Sequence, residues 1–98
     1  MKRIFVCSPF RGNTDTNAAF ARDVSRRIAL AGDAPFAPHL LLPQLLDDDN
    51  DRERMLGTRC GLAWLAVADE VRIFGELTAG MTAEIAEAFR LGKAVRQG

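Results

Sequence analysis

Short apolar runs that are typical of buried strands alternate along this chain with longer segments of helical periodicity. The strand-like runs span residues 3–8, 34–39, 70–75 and 93–96, and helical segments lie between them at 13–31, 51–67 and 80–92. Strands that are joined in this way by helices form a parallel sheet with helices packed on its faces. The crossovers between such strands are right-handed. The sequence therefore predicts one three-layer α/β domain over residues 1–98, built in the order β-α-β-α-β-α-β.

The apolar positions within each helical segment predict the side that packs on the sheet. Residues that recur every three or four positions lie along one side of a helix. The predicted buried positions are Phe20, Val24, Ile28 and Ala31 in the first helix, Leu56, Cys60, Ala63 and Val67 in the second, and Met81, Ile85, Ala88, Phe89 and Gly92 in the third. Asn13 or Thr14 is predicted to cap the first helix, and Cys7 to lie in the core on the first strand.

The remaining segments give weaker signals. Residues 34–39 contain two prolines, which limit a strand there to the edge or the end of a sheet. Residues 40–46 are predicted to be an apolar loop or a helical turn. Residues 47–51 hold four aspartates and are predicted to be a solvated acidic loop.

Composition restricts the class of partner. Thirteen basic residues balance thirteen acidic ones, so no overall field draws the chain to nucleic acid or to anionic lipid. The two cysteines lack the spacing of a zinc site, and no metal or cofactor is expected. Neither a signal peptide nor an apolar run of about 20 residues is evident, so the expected location is the cytoplasm.

Two loops are predicted to form a ligand cleft, because ligands of open parallel sheets bind beyond the carboxyl ends of the strands. The loops consist of Ser8, Pro9, Phe10, Arg11 and Gly12, and of residues 80–84. The start of the helix that follows the first loop favours binding of an anion, and Arg11 can hold a phosphate or carboxylate through paired hydrogen bonds. Gly12 permits close backbone approach, and Phe10 offers a ring to a base or sugar. The alternative is a plain strand-to-helix turn with a solvated arginine.

Glu84 is the candidate catalytic residue. A carboxylate at this place can attack an anomeric carbon or accept a sugar hydroxyl, and the helix dipole is expected to keep it ionised. The alternative is a surface glutamate that only complements that dipole.

Four motifs carry a family resemblance that extends over almost the whole chain: FVCSPFRG at 5–12, APHL at 37–40, WLxxADE at 64–70 and GMxxEI at 80–85. The sequence resembles a family of small bacterial and phage proteins, which is similar in turn to the nucleoside 2-deoxyribosyltransferase-like superfamily. That superfamily includes deoxyribosyltransferases and N-glycosidases of nucleoside monophosphates.

The resemblance implies a flavodoxin-like Rossmann fold with four or five parallel strands, and a homodimer or larger assembly whose sites borrow residues from a neighbour. It implies that Glu84 is the catalytic nucleophile and that Arg11 and Gly12 approach a 5′-phosphate. The candidate substrate-binding residues are Ser8, Pro9, Phe10, Arg11, Gly12, His39, Gly80 and Met81.

The sequence departs from the superfamily pattern on the second helix. The enzymes carry an aspartate about one turn before a Trp-Leu pair, but residues 59–63 contain no carboxylate. His39 is a candidate replacement acid, and the alternative is a loop histidine hydrogen-bonded to backbone. Asp69 is predicted to be a structural cap or turn residue. The 98 residues leave little room for a fifth strand.

Three functions are therefore open. The first is an N-glycosidase or deoxyribosyltransferase that acts on a small nucleotide or nucleoside. The second is a non-catalytic module that binds the same ligand in the same cleft. The third is a partner protein that assembles through the apolar residues Leu40, Leu41, Leu42 and Trp64.

Overall fold

Four parallel strands form a single sheet in the computed structural model, which describes residues 1–98. The strands are β1 (Arg3–Cys7), β2 (Ala34–Phe36), β3 (Glu70–Ile73) and β4 (Ala94–Gln97). The α-helices are α1 (Thr14–Leu30), α2 (Pro38–Leu41), α3 (Asp51–Val67) and α4 (Ala79–Arg90), and a 3₁₀ turn spans Leu42–Gln44. The predicted α/β class and element order are confirmed, and residues 40–46 form a helical turn. No helix has the length and apolar character needed to cross a membrane.

The strand order is β2-β1-β3-β4, and β1 pairs in parallel with both β2 and β3. The chain moves from β1 to β2 on one side, and then to β3 on the other side of β1. This reversal makes the carboxyl ends of β1 and β3 the switch point at which ligands of such sheets bind. The order is that of a flavodoxin-like fold, with four strands present.

Two apolar cores lie on opposite faces of the sheet, because successive side chains of a strand point to opposite faces. Ile4 and Val6 pack against α1 on one face, and Phe5 and Cys7 pack against α3 and α4 on the other. The side chains that cover them are Ala21, Val24 and Ile28 from α1, Leu65 from α3, and Met81 and Ala88 from α4. Since β1 is covered on both sides, it reads in the sequence as a continuous apolar run.

The predicted side of α3 is wrong. Leu56 and Val67 are 42% and 49% exposed, and Cys60 is exposed as well. The buried positions are Gly61 and Leu65 instead. The inner side of α3 contains glycine, which contributes no side chain to an apolar pattern, so the outer stripe gave the stronger signal.

The other helices differ from the predictions at their ends. Asn13 caps α1 by accepting from the Thr16 amide, as predicted. Helix α4 begins at Ala79, one residue earlier than predicted, because the Thr78 hydroxyl accepts from the Met81 amide. Phe89 was predicted to face the core but is 67% exposed.

Three further predicted core positions do not pack on the sheet, two of them because the helices end before these residues. Ala31 and Gly92 lie beyond the ends of α1 and α4, and Ala63 is exposed on α3.

A carboxylate that the sequence reading missed is buried at the amino end of β3. Glu70 is only 2% exposed and lies on the same face as α1. The Arg72 guanidinium donates to it from 2.6 and 2.8 Å, and Lys2 and Arg96 each approach it to 3.7 Å. These cations compensate the buried charge.

Asp69 at the entry to β3 has a structural role, as predicted. It accepts from the Arg3 amide at 2.8 Å and pairs with the Arg3 guanidinium at 3.1 Å. Arg3 begins β1, so this pair joins the starts of the two central strands.

Candidate active site

A cleft of about 800 Å³ opens beyond the carboxyl ends of β1 and β3. Its walls come from the loop after β1, from α2 and the 3₁₀ turn, from the first half of α3, and from the start of α4. The volume lies within the range of small-molecule sites. The two loops that the sequence singles out therefore meet at one cavity.

The candidate residues are distributed unevenly around this cleft. Those that line it are Phe10, Arg11, His39, Gly80, Met81 and Glu84. Ser8 is fully buried behind the wall, and its hydroxyl has no hydrogen-bond partner. Neither Pro9 nor Gly12 lines the cleft. Pro9 packs beside Gly75, and Gly12 lies in open space with a φ of +101°.

Glu84 is in the second turn of α4 and largely buried in the cleft wall. Its Oε1 atom is buried without a hydrogen-bond partner. Burial raises the pKa of the Glu84 carboxyl to about 7, although a hydrogen bond from Cys7 acts in the opposite direction. Desolvation thus opposes the ionised form that was expected for this group. Near pH 7 about half of the molecules carry a protonated Glu84.

Cys7 lies beneath Glu84 at the end of β1 and is completely buried. Burial, together with the nearby Glu84, raises the pKa of the Cys7 thiol. The thiol therefore keeps its proton and donates it, with Sγ 3.8 Å from the Met81 carbonyl oxygen. It acts as a neutral donor behind the cleft wall.

His39 and Phe10 stack on each other at the mouth of the cleft. Their ring centroids are 4.9 Å apart and the planes are inclined by 17°. Burial lowers the pKa of His39, and a hydrogen bond to the Ser8 backbone and the charge of Asp48 only partly oppose this. The imidazole is therefore neutral at pH 7. His39 lies in α2 with its ring bonded to backbone, and few of the imidazoles carry at pH 7 the proton that a general acid needs.

The acidic loop before α3 contributes to the cleft, which the sequence reading did not anticipate. Asp48 lines the cavity, is 35% exposed, and lies 3.4 Å from the Arg11 guanidinium. A second pair joins Asp51 to Arg54 at 3.1 Å. The signal available in the sequence was the run of aspartates itself, which gave no indication that one of them faces a cavity.

The inner wall of the cleft is apolar and includes two glycines of α3. Gly57 packs beside Leu46 and Gly61 beside Pro38, and Gly61 lies within residues 59–63, where the superfamily resemblance places an aspartate. Leu42, Met55 and Leu62 extend the same wall. The missing carboxylate is thus replaced by bare helix backbone and apolar side chains.

The fold is shared with solved enzymes of nucleoside metabolism. A 2-deoxyribosyltransferase from the psychrotolerant bacterium Bacillus psychrosaccharolyticus superposes with a TM-score of 0.78 at 18% identity, over 97% of this chain and 70% of that chain. The 2-desoxiribosyltransferase from Leishmania mexicana gives 0.73 at 17% identity, over 99% of this chain and 63% of that one. These similarities place the chain in the deoxyribosyltransferase fold, as the sequence motifs predicted.

The family assignment follows from the sequence. Residues 2–98 match the family described as "Domain of unknown function (DUF7768)", and the chain belongs to that family. The sequence matches no curated protein.

Proposed function

We propose that residues 1–98 form a nucleoside 2-deoxyribosyltransferase-like domain that cleaves the N-glycosidic bond of a nucleoside or nucleotide. Glu84 is the nucleophile at C1′. The observation that carries this proposal is the Glu84 carboxyl, which lines the cleft with a buried and unpartnered Oε1 atom. Buried polar atoms without partners are rare and costly, and a substrate that completes the site gives this one a reason to persist.

The shape of the cleft supports a nucleoside-sized ligand. The Phe10–His39 stack presents aromatic surface in the cleft, and the wall around Gly57 and Gly61 is mainly apolar. A planar base suits both surfaces, because stacking and apolar contact do not require a specific base edge. The sugar then lies between the base and Glu84.

The reaction has two steps. A Glu84 oxygen attacks C1′ while the bond from C1′ to the base nitrogen breaks, and the electron pair of that bond stays with the base. The base takes a proton from solvent, which leaves a glycosyl ester on Glu84. Water then attacks C1′, the ester bond breaks, and the sugar, a proton and the Glu84 carboxylate are released. A second base in place of water gives transfer instead of hydrolysis.

The experiment is incubation with matched panels of deoxynucleosides, nucleosides and their 5′-monophosphates, followed by chromatography of the free base. Glu84→Gln is expected to lower base release by about 10³-fold or more, as the loss of a nucleophile does. Glu87→Gln is the matched control, because Glu87 is on the same helix but does not line the cleft. Base release from no member of the panels, or release that Glu84→Gln leaves unchanged, would contradict the proposal.

A second function, ligand binding without cleavage, is favoured by one set of observations. Residues 59–63 contain no carboxylate, His39 is a poor acid, and Glu84 is only half ionised near pH 7. Calorimetric binding of the same panels distinguishes the two functions, because binding without any base release selects the second.

The expected assembly and location also belong to this proposal. The outer stripe of α3, formed by Leu56, Cys60, Ala63 and Val67, leaves apolar surface unpaired, which favours a homo-oligomer. Cys7 and Cys60 are both free thiols, which suits the reducing cytoplasm. The charge balance supports a small-molecule ligand over a nucleic acid or a membrane.

A further inference from the structure

We propose that the cleft selects an unphosphorylated nucleoside over its 5′-monophosphate, and that Asp48 sets this preference by holding Arg11. This inference rests on the proposed function, since it names the substrate class of the same site. It reverses the role that the superfamily resemblance gives to Arg11, which was to bind a 5′-phosphate.

The first support is that Arg11 already has a partner. Its Nε atom lies 3.4 Å from Asp48 Oδ2, on the cleft side of both residues. A phosphate that took this guanidinium would displace the Asp48 carboxylate or share the cation with it. The pair is partly solvated, with Arg11 58% and Asp48 35% exposed, so Asp48 acts as a competitor for the guanidinium and lowers the gain that a phosphate would obtain from it.

The second support is the balance of charge around the whole cavity. The cations that line it are Arg11 and Arg54, and each is paired with an aspartate. The acidic residues that line it are Asp48, Asp51, Glu53 and Glu84. Even without Glu84, which is half protonated near pH 7, the three carboxylates of Asp48, Asp51 and Glu53 outnumber the two guanidinium groups, and a phosphate with its charge of about −1.5 to −2 at pH 7 enters a field of its own sign.

No other cationic side chain lines the cavity to compensate. His39 is neutral at pH 7 because burial lowers its pKa. The remaining anion-friendly feature is the start of α4, where Ala79 and Gly80 precede the capped Met81 amide. That turn also leads into Glu84, so a phosphate held there would lie near a second carboxyl group.

A sugar hydroxyl fits the same place without these penalties. The Asp48 carboxylate can accept a hydrogen bond from a 5′-hydroxyl while it keeps its contact with Arg11. The nucleoside thus gains a charge-assisted hydrogen bond to Asp48 at the place where the carboxylate would repel the phosphate of the monophosphate.

The test is isothermal titration calorimetry with two pairs of probes: deoxyadenosine with its 5′-monophosphate, and thymidine with its 5′-monophosphate. Glu84→Gln is used as the background to prevent turnover. The Glu84→Gln protein is expected to bind at least one nucleoside about tenfold or more tightly than the matching monophosphate. Adding Asp48→Asn is expected to reduce that ratio about tenfold, mainly through tighter binding of the monophosphate.

Two further variants test whether the effect belongs to the ion pair of Arg11 and Asp48. Asp49→Asn removes the same charge one residue away, outside the cleft, and is expected to leave the ratio unchanged. Adding Arg11→Ala to Asp48→Asn is expected to abolish the gain in monophosphate binding. Thermal unfolding of each variant verifies that it is folded.

The outcomes separate this inference from the proposed function. Two results overturn the role of Asp48 while the glycosidic function stands. One is equal or tighter binding of the monophosphate by the Glu84→Gln protein, and the other is a nucleoside-to-monophosphate affinity ratio that Asp48→Asn leaves unchanged. Absence of binding by all four probes overturns both.

Discussion

The Cys7 thiol donates to the Met81 carbonyl oxygen across 3.8 Å, and so connects the end of β1 to the helix turn that precedes Glu84. Cys7 is fully buried, and its raised pKa keeps the proton on sulfur. The same S–H group interacts with the Glu84 carboxyl and lowers its pKa against the larger effect of burial. The Cys7 side chain therefore connects the packing of α4 with the ionisation of Glu84.

Replacing Cys7 with alanine is expected to raise the pKa of Glu84 above its present value of about 7. The substitution removes the donor while the desolvation of the carboxyl remains. Cys7→Ser retains a donor and is expected to give a lower pKa than Cys7→Ala. The measurement is an NMR titration of the Glu84 side-chain carboxyl carbon. Identical titration midpoints in Cys7→Ala and in the parent protein would show that the thiol does not influence Glu84.

Glu84 is also expected to make the stability of the protein depend on pH. The folded protein holds the Glu84 proton until about pH 7, whereas the unfolded chain releases it near 4.5. The folded state therefore binds more protons between these values, so the stability from this proton is complete below pH 4.5 and is lost as pH rises through 7. Glu84→Gln removes this loss, and its stability relative to the parent is expected to rise by up to about 3 kcal/mol between pH 4.5 and pH 8.

Urea unfolding of both proteins at several pH values measures this difference. Asp69→Asn is the control, because its pairing with Arg3 lowers the pKa of Asp69 to about 2. The stability that Asp69 contributes is present above its unfolded value of 3.8 and is lost only as pH falls through 2, so it does not change between pH 5 and 8. If the difference in the free energy of unfolding between Glu84→Gln and the parent protein does not change between pH 5 and 8, the pKa of Glu84 is not raised.

Gly57→Ala is expected to stabilise the protein and weaken ligand binding at the same time. A Cβ atom at Gly57 would lie 3.6 Å from Leu46 Cδ1, which is ordinary contact, so the alanine fits. Alanine is favoured over glycine within a helix by about 1 kcal/mol. The added methyl group nevertheless fills part of the apolar wall on which a base would lie. Thermal unfolding and calorimetry with a nucleoside measure the two effects, and unchanged affinity would place the base elsewhere.

The topology of the site was predictable from the sequence, but its chemistry was not. Strand periodicity brought the loop that contains Arg11 and the helix that contains Glu84 to the same edge of the sheet. Periodicity contains no information on burial depth, so it did not reveal that desolvation raises the pKa of Glu84. It also treated Asp48 as one of several solvated aspartates, because only the tertiary fold turns that residue toward Arg11.

The error at α3 has a related cause. The apolar pattern located the stripe that contains Leu56 and Val67, and this stripe is real, but it faces outward. The side that meets the sheet and the cleft contains Gly57 and Gly61, whose contribution is closeness of approach rather than apolar area. Binary patterns weigh area alone, and they therefore assign the wrong face to a helix that packs through glycine.

Glu70→Ala is expected to destabilise the protein by about 3 kcal/mol, the lower end of the range for breaking a buried ion pair. The Arg72 guanidinium would lose both of its short contacts while remaining only 23% exposed. Glu76→Ala is the control, because Glu76 is exposed in the loop after β3. Chemical denaturation measures both variants. A loss below about 1 kcal/mol would mean that Arg72 finds equivalent partners in water.

The outward stripe of α3 is expected to hold copies of this chain together. Leu56 and Val67 lie on that stripe and are 42% and 49% exposed, as in a surface that a partner covers. Val67→Asp places a charge at the carboxyl-terminal end of this stripe, where its desolvation in a contact is costly. The variant is therefore expected to shift the protein toward the monomer in sedimentation equilibrium, while its circular dichroism spectrum stays that of the parent. Leu77→Asp is the matched control, since Leu77 is 62% exposed but lies in the loop before α4. If both variants sediment like the parent, the stripe on α3 is not the contact surface; if both dissociate, the effect is one of general charge instead of this helix.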